Sequence, residues 1–553
     1  MTHLRQPGGL GSSYDRVMGF DGDAVTSAEA ARYRAAGWWS DVTLSECVRR
    51  NARSTPDKPA YVDFCGDGAD LRLTWCEFDQ AATNLAQELL DLGVAPGDRV
   101  AVWHNDSSAI HVLLVAVERC GAVTVGLGAR AGVREVAQIL RTARPSLLVS
   151  DSERLEPAAQ AVAKSGLGVR TVALGDRSSE LFVDTRSRPQ AATGLSPVGP
   201  DDVFLINSTS GTTGMPKCVV HTQNRWQYFH QKAVANGELT ADDVFLPVIP
   251  TPFGFGIWTS HTTPVYLGAT AIRTKRFDPA WTCAAISGHQ ATVLCCVSTQ
   301  LMMMLANRAV RDYDMTSLRI VFTGGEPLPY LQAAQFEELT GAKILQFYGS
   351  NETGLLSATT VADSFHHRLR TAGRIVPEMQ VRLFDGDVDV TESGRGQPAC
   401  RGPATSLGYL GGTDHDKLFT KDGWMRMGDI CELDADGYLS LAGRTSDFIL
   451  RGGKNISAVQ VEEAVATHPA VALAAAVAMP DPLFGERVCV FVELKGADAL
   501  DLPTLVDHLL AQGVSKELLP ERLEVLDELP RSVGGKIAKG RLRDDIRLTL
   551  ERS

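Results

Sequence analysis

The sequence predicts an α/β fold: a large N-terminal domain of layered α/β subdomains with a β-rich subdomain, followed by a small α+β C-terminal domain. Short apolar segments at 99–103 and 146–150 alternate with helical patterns at 109–123 and 133–144. Apolar strands that alternate with helices are typical of a parallel sheet covered on both faces. The chain has 553 residues, which is more than one hydrophobic core usually supports, so several domains are expected.

The pattern of apolar residues also suggests where the domains divide. Residues 1 to about 40 show no clear periodicity, so we expect an extension or an arm that wraps around the surface. Residues 176–200 contain several Ser, Gly and Pro and are predicted to form a linker. Gly- and Asp-rich strands around 381–385 indicate the β-rich subdomain. The last hundred or so residues carry short helices and strands, which is a usual domain size. We therefore place the N-terminal domain at 1–445 and the C-terminal domain at 446–553.

Charge and cysteine content exclude several classes of protein. The formal net charge of -12 does not supply the basic field that nucleic-acid binding needs. The 11 cysteines include the adjacent pair Cys295 and Cys296 but no CxxC unit, which favours a reduced, cytoplasmic protein without a cysteine metal site. The longest apolar stretch is interrupted by Glu118 and Arg119, so we expect no membrane span, and the first residues do not resemble a secretory signal.

One loop has the composition of a phosphate-binding site. The string INSTSGTTGMPK at 206–217 follows an apolar strand, and its glycines allow the backbone N–H groups to approach a phosphate closely. Pro216 before the lysine and Cys218 after it exclude a Walker A loop. A polar surface turn is the alternative interpretation. The candidate phosphate-binding residues are Ser208, Thr209, Ser210, Gly211, Thr212, Thr213, Gly214 and Lys217.

The same string resembles the phosphate loop of the adenylate-forming superfamily, which includes acyl-CoA synthetases, firefly luciferases and the adenylation domains of peptide synthetases. Of the family's usual TSGTTGxPKG, only the last glycine is replaced, by Cys218, for which we expect a packing role. The resemblance extends over about 40–545. It implies a mobile C-terminal domain, and ATP, Mg²⁺ and coenzyme A as cofactors and co-substrates. It also implies that the loop holds the β- and γ-phosphates.

Further motifs resemble the nucleotide site of this family. FTGGEP at 322–327 is similar to the adenine-side loop, and FYGSNETG at 347–354 resembles the YGxTE signature. By this resemblance Tyr348 stacks on adenine, and Glu352 holds Mg²⁺ and takes part in catalysis. Asn351 stands where the family usually has a threonine that contacts the α-phosphate, and an amide can donate to the same oxygen. The remaining implied nucleotide-binding residues are Gly324, Gly325, Glu326, Pro327, Gly349, Ser350 and Asp429, the last of which is expected to bind the ribose hydroxyls.

The C-terminal motifs resemble the moving parts of the family. Arg444 is expected to reach the nucleotide, and Ser446 stands at the pivot position, where the family usually has Asp or Lys. Gly452 and Gly453 are expected to leave a path for pantetheine, although a hairpin turn explains them equally. Lys536, in PRSVGGKI, matches the catalytic lysine that positions a carboxylate against the α-phosphate and stabilises the developing charge.

The acid-binding side of the site is less specific in the sequence. The segment PTPFGFGIW at 250–258 contains Phe253, Phe255 and Trp258, and we predict that these residues line the substrate pocket. An apolar aromatic wall suits a bulky alicyclic or aromatic carboxylic acid, because such an acid buries a large apolar area. The same three side chains could instead belong to the core.

The resemblance predicts an AMP-forming acid–thiol ligase. A carboxylate attacks the α-phosphate of ATP, and coenzyme A then displaces AMP from the acyl-adenylate. The alternatives are an enzyme of one half-reaction, for which Asn351, Ser446 and Cys218 are the motivation, one that loads a carrier protein, and a non-catalytic nucleotide-binding protein. The sequence does not decide the acid, the pathway (lipid or secondary metabolism) or the oligomeric state, monomer or homodimer.

Overall fold

The N-terminal part of the chain forms two sheets, and helices pack against both of them in one core. The computed structural model describes residues 25–551 with gaps at 67–68, 176–194, 210–215, 413, 445–446, 452–453, 497–498 and 533–534. The first strands are β1 Pro59–Asp63, β2 Leu71–Thr74, β3 Arg99–Trp103, β4 Val123–Gly126, β5 Leu147–Ser150, β6 Arg170–Ala173, β7 Val203–Thr209 and β8 Lys217–Thr222. The first helices are α1 Ser27–Ala35, α2 Leu44–Ser54, α3 Trp75–Asp91, α4 Ser108–Arg119, α5 Val133–Ala143, α6 Leu155–Ser165 and α7 Gln223–Gly237.

A six-stranded sheet carries the predicted phosphate loop at one edge. Its strand order is β6-β5-β3-β4-β7-β8, and all neighbours are parallel except β7 and β8. The predicted strand at 99–103 is confirmed, and the one at 146–150 corresponds to β5. The predicted helix at 109–123 is wrong at its end, because α4 stops at Arg119 and β4 begins at Val123. Gly121, with φ of +73°, lies in the turn between them.

A nine-stranded sheet forms the second layer, in the order β15-β14-β13-β12-β11-β9-β10-β1-β2. Its central strands, from β13 to β1, are parallel. The added strands are β9 Val244–Pro247, β10 Thr270–Arg273, β11 Val293–Cys295, β12 Ile320–Thr323, β13 Lys343–Ser350, β14 Gly354–Ala358 and β15 Arg374–Ile375. The added helices are α8 Gly254–Ile257, α9 Thr263–Leu267, α10 Pro279–His289, α11 Ser298–Ala306, α12 Tyr330–Thr340 and α13 Phe365–Arg370.

The main hydrophobic core contains residues of both sheets and nearly all of α4. Burial on every face explains why α4 is apolar all round. Part of the predicted N-terminal extension is instead an ordered helix, since Ala30 and Tyr33 of α1 are buried in this core. Along the described stretches of the chain, no helix combines the length and the hydrophobicity that a membrane crossing requires.

Two smaller units complete the described chain. The β-rich unit contains β16 Gln380–Asp385, β17 Val388–Asp389, β18 Arg395–Arg401, β19 Met425–Arg426, β20 Asp429–Leu433, β21 Leu439–Arg444 and the short helix α14 His415–Leu418. The C-terminal domain contains β22 Phe448–Arg451, β23 Lys454–Ser457, α15 Ala458–Val465, β24 Val471–Asp481, β25 Gly485–Leu494, α16 Leu502–Ala511, β26 Arg522–Val525 and α17 Lys539–Glu551. Together with the two sheets they give the predicted architecture of a large α/β domain and a small α+β domain.

Glu88 of α3 provides a test of the packing around this helix. Burial, with a smaller effect of Asp91, raises the pKa of Glu88 to about 7. In the unfolded chain the carboxyl loses its proton near its ordinary pKa of 4.5, so the free energy of unfolding falls as pH rises between these two values. We expect Glu88→Gln to raise the free energy of unfolding by about 1–3 kcal/mol at pH 8, and by less at pH 5. Urea unfolding at both pH values measures this, with the exposed Glu338→Gln as control.

Candidate active site

The candidate active site is a cleft of about 1550 Å³ between the N-terminal sheets and the C-terminal domain. This volume exceeds that of an ordinary small-molecule pocket, so the cleft has room for more than one ligand. The strands β12 and β13 end at its floor, as expected where parallel strands present their carboxyl ends to a ligand. Its walls include Pro216, Gly324, Gly325, Glu326, Pro327, Phe347, Tyr348, Gly349, Asp429 and Lys536.

Two glycines, Gly324 and Gly325, form the wall of the cleft directly after β12. A Cβ atom at Gly324 would overlap the backbone oxygen of Phe347, so the loop lies directly against β13. Glu326, which is predicted to bind the nucleotide, lines the cleft and is held there by hydrogen bonds from the start of α11. Its Oε2 accepts hydrogen bonds from Thr299 N at 3.1 Å, Thr299 Oγ1 at 2.8 Å and Ser298 Oγ at 3.1 Å. The carboxylate therefore ties this loop to the start of α11.

Tyr348 and Asp429 meet in the cleft although they lie far apart in the chain. Tyr348 Oη donates to Asp429 Oδ2 at 2.9 Å, and both residues are buried. Burial, followed by the charge of Asp429, raises the pKa of Tyr348 well above its usual range, so the hydroxyl keeps its proton and remains a donor. The bond holds the Asp429 carboxylate next to the ring that is expected to stack on adenine.

Lys536 enters the same cleft from the C-terminal domain. Its Nζ lies 2.7 Å from the position that a Cβ atom at residue 325 would occupy. Gly325 has φ of +77°, a conformation that favours glycine. The docking is supported by α11, where Met302 and Met303 pack against the core formed by β24, β25 and α17. The amino group of Lys536 therefore shares one cleft with Tyr348 and Asp429.

Glu352, the expected Mg²⁺ ligand, is held by a tyrosine that the sequence did not single out. Tyr409 Oη donates to Glu352 Oε1 at 2.7 Å. Lys217 Nζ lies 4.8 Å from the centre of the Tyr409 ring and 3.1 Å from Asp414 Oδ2. The phosphate-loop lysine and the carboxylate thus meet at one aromatic ring. A partly exposed carboxylate of this kind is a suitable ligand for Mg²⁺, which prefers oxygen.

The phosphate loop itself connects two paired strands. Thr209 of β7 lies opposite Lys217 of β8, and Ser208 is buried opposite Cys218. Burial raises the pKa of Cys218 to about 12, so it is a packed thiol. Several of the predicted residues lie outside the described part of the chain: Ser210, Gly211, Thr212, Thr213, Gly214, Ser446, Gly452, Gly453 and the side chains of Thr209 and Arg444.

The aromatic residues predicted for the acid pocket differ in position. Trp258 is only 2% exposed, and its ring lies within 6 Å of those of Phe229, Phe255, Phe322 and Phe347. This is the environment of a core residue, the alternative that the sequence left open. Phe253 and Phe255 are half-buried around the start of α8. None of the three is among the described residues that line the large cleft.

Three polar residues behind the site escaped the sequence analysis: Asn207, His221 and Arg225. All three are buried; Asn207 and Arg225 contact Asn351, and His221 lies between these two. The one available signal was their position, since polar side chains interrupt an apolar strand and follow the phosphate motif closely. Nothing in the sequence alone pairs residues 207 and 225 with residue 351, because the contacts join separate sheets.

Comparisons with known proteins give matches over most of the chain. The family model described as "AMP-binding enzyme" matches residues 48–410, and the one described as "AMP-binding enzyme C-terminal domain" matches 460–536. The chain is 30% identical to the medium-chain fatty-acid–CoA ligase of Escherichia coli (strain K12), covering 93% of this chain and 92% of that protein. It is 31% identical to the salicyl-AMP ligase / salicyl-S-ArCP synthetase of Mycobacterium tuberculosis (strain ATCC 25618 / H37Rv), covering 92% of each.

Solved structures show the same fold. The crystal structure of the anthranilate CoA ligase AuaEII in complex with anthranoyl-AMP matches with a TM-score of 0.83 and 23% identity, over 93% of this chain and 98% of that one. ATP-bound MatB from Rhodopseudomonas palustris matches with a TM-score of 0.79 and 24% identity, over 91% and 98%.

The bond between Tyr348 and Asp429 leads to a prediction about nucleoside binding. We expect Tyr348→Phe to weaken adenosine binding about five- to tenfold, because the ring is kept while one hydrogen bond to a charged group is lost. Isothermal titration calorimetry with adenosine measures this. Tyr438→Phe is the matched control, since it removes a hydroxyl bonded to Asp363 at 2.5 Å, and Tyr438 is not among the described lining residues of the cleft. Equal losses in both variants would contradict the prediction.

The position of Trp258 leads to a prediction about stability. We expect Trp258→Ala to lower the free energy of unfolding by about 3–5 kcal/mol, because it leaves a cavity among four aromatic rings. Replacing the half-buried Phe255 by alanine should lower the free energy of unfolding by clearly less. Urea unfolding of both variants measures the difference. A Trp258→Ala protein as stable as the parent would mean that Trp258 lines an open pocket.

Proposed function

Because the chain belongs to the AMP-binding family of adenylate-forming enzymes, we propose that it is an ATP-dependent ligase that activates a hydrophobic carboxylic acid and transfers it to coenzyme A. The family matches establish the activation of an acid through an adenylate. Coenzyme A as acceptor and the hydrophobic character of the acid are the proposal.

The observation that carries the proposal is the position of Lys536 beside Gly325, in the cleft shared with Tyr348 and Asp429. Adenylation brings together two anions, a carboxylate and the α-phosphate, and a cation between them lowers the cost of their approach. A protein that only binds a nucleotide has no need of a lysine supplied by a second domain. The contact therefore favours an enzyme over the non-catalytic alternative.

The proposed reaction has two steps in one cleft. In the first, a carboxylate oxygen of the acid attacks the α-phosphorus of ATP, and the bond to the bridging oxygen of the β-phosphate breaks, so that pyrophosphate leaves. In the second, the sulfur of coenzyme A loses its proton and attacks the acyl carbon, and the bond to AMP breaks. Glu352 would hold Mg²⁺, which neutralises phosphate charge when it is bound. Burial between the domains keeps water away from the mixed anhydride.

The acid is proposed to be apolar and bulky, alicyclic or aromatic. Phe253 and Phe255 at the start of α8 supply apolar surface close to Asn351, because Gly254 between them lies against that side chain. Two relatives support the same proposal, since one is a medium-chain fatty-acid–CoA ligase and the other a salicyl-AMP ligase. The salicyl relative is named for transfer to a carrier protein, so a carrier protein is the second candidate acceptor.

The role of Lys536 can be tested on the separate half-reactions. We expect Lys536→Ala to lower acid-dependent exchange of pyrophosphate into ATP at least a hundredfold, because the two anions lose their common cation. Transfer of the acyl group from a chemically made acyl-adenylate to coenzyme A should persist. Lys516→Ala, at an exposed lysine of the same domain, is the control.

The same assays decide between the candidate functions. Acid-dependent exchange with a panel of aromatic, alicyclic and medium-chain acids, followed by mass detection of the acyl-CoA, identifies both the acid and the acceptor. Absence of exchange with every acid in the parent protein would contradict the two-step ligase. Exchange without any acyl-CoA would favour a carrier protein as acceptor.

A further inference from the structure

We propose that Arg225, His221 and Asn207 are positioning residues that fix the amide of Asn351 with a hydrogen-bond donor turned toward the α-phosphate. The inference rests on the proposed function, because that function supplies the phosphate. It concerns the one residue of the nucleotide motif that departs from the family, and it explains how an asparagine does the work expected of a threonine.

The series of contacts begins at Arg225 on α7, whose side chain is buried at 2% exposure. Its guanidinium donates to four acceptors: Nδ1 of His221 and the backbone oxygens of Ala404, of Asn351 at 2.5 Å and of Glu352 at 3.5 Å. Burial lowers the pKa of Arg225 to about 9, and the carboxylate of Glu352 opposes this shift, so the group is charged at neutral pH. The cation is thus directly behind the backbone of the nucleotide motif.

The hydrogen-bond donors determine the tautomer of His221 and the orientation of the Asn207 amide. A guanidinium has no acceptor, so Nδ1 of His221 must be the acceptor and the proton of the neutral ring is on Nε2. Burial, and after it the charge of Arg225, lowers the pKa of His221 well below its usual value, which keeps the ring neutral. Nε2 then donates to Asn207 Oδ1 at 2.7 Å. The oxygen of the Asn207 amide is identified by this bond.

The orientation of the Asn207 amide determines that of the Asn351 amide. Asn207 Nδ2 donates to Asn351 Oδ1 at 3.1 Å, and Asn351 Nδ2 donates to Asn207 Oδ1 at 2.5 Å. If the Asn351 amide were reversed, two oxygens and two nitrogens would face each other. The second hydrogen of Asn351 Nδ2 is therefore always directed away from Asn207. A threonine hydroxyl rotates to suit its partner, but an amide needs this constraint, because its reversed form would present an oxygen to an oxygen of the phosphate.

The neighbouring segment leaves room for the longer side chain. A Cβ atom at Gly254 would lie 2.7 Å from Asn351 Oδ1, and its three nearest neighbours would all be atoms of Asn351. A side chain at position 254 would therefore displace Asn351 Oδ1 from this orientation. The two positions form one matched arrangement across α8 and the end of β13.

The test compares the binding of AMP and adenosine, which differ by the α-phosphate alone. We expect Asn207→Leu, a substitution of similar shape, to weaken AMP binding about tenfold, because the Asn351 amide can then reverse. Adenosine binding should change less than twofold. In the Asn351→Thr background the same Asn207→Leu change should cost less than threefold in AMP binding, since a hydroxyl does not need to be oriented. Calorimetry on the full chain measures all four proteins.

Two outcomes would overturn the inference. One is an equal loss of adenosine and AMP binding, which would indicate a general distortion of the site. The other is the same loss of AMP binding on Asn207→Leu whether residue 351 is the native asparagine or has been replaced by threonine. Gly254→Ala is a second variant should Asn207→Leu fail to fold, and it should also weaken AMP and spare adenosine. Neither measurement uses an acid or coenzyme A, so failure of the ligase assay and failure of this inference are separate results.

Discussion

Lys536 Nζ occupies the space that a side chain at position 325 would need, and this contact joins the two parts of the protein at the cleft. It depends on a glycine with φ of +77° on one side and on the docking of the C-terminal domain on the other. The docking includes an apolar contact of Met302 and Met303, and flexible methionine side chains fit against more than one partner surface. Gln332 Nε2 also donates to the backbone oxygen of Ala466 across the same boundary. The contact between Lys536 and Gly325 adds the constraint that lies closest to the predicted nucleotide site.

The sequence predicts well those features that are local. Strands such as β3 follow from their apolar composition, and the ends of β7 and β8 follow from the glycine-rich string between them. The predicted end of α4 lies too far along the chain. Residues 120–123 are apolar or small, and such residues occur in a buried turn or strand as readily as in a buried helix, so composition does not mark where the helix ends. Trp258 shows the corresponding limit at the site, since an aromatic residue looks the same in the sequence whether it belongs to a core or to a pocket wall.

The charged groups behind the site could not be predicted, for a physical reason. A buried cation is tolerated only where the fold supplies enough acceptors, and for Arg225 these are three backbone oxygens and a histidine nitrogen. Backbone acceptors cannot be predicted from the sequence, because every residue has a carbonyl oxygen. The motif residues Tyr348, Glu352 and Asp429 were identifiable, but Tyr409, which bonds to Glu352 from 57 positions further along the chain, belongs to no motif.

The departures from the family differ in their consequences. Cys218 is buried between the strands and the helices of the first sheet, in contact with the apolar core there, and its high pKa keeps it a neutral thiol. The replacement of the family's glycine by Cys218 therefore affects packing, and its sulfur takes no part in the proposed reaction. Asn351 belongs to the predicted nucleotide motif, and its amide is held by two hydrogen bonds with Asn207 and lies against Gly254. Two of the three reasons for considering an enzyme of one half-reaction are thereby weakened. The third is Ser446, at the predicted pivot position, which lies outside the described residues, so this reason is unchanged.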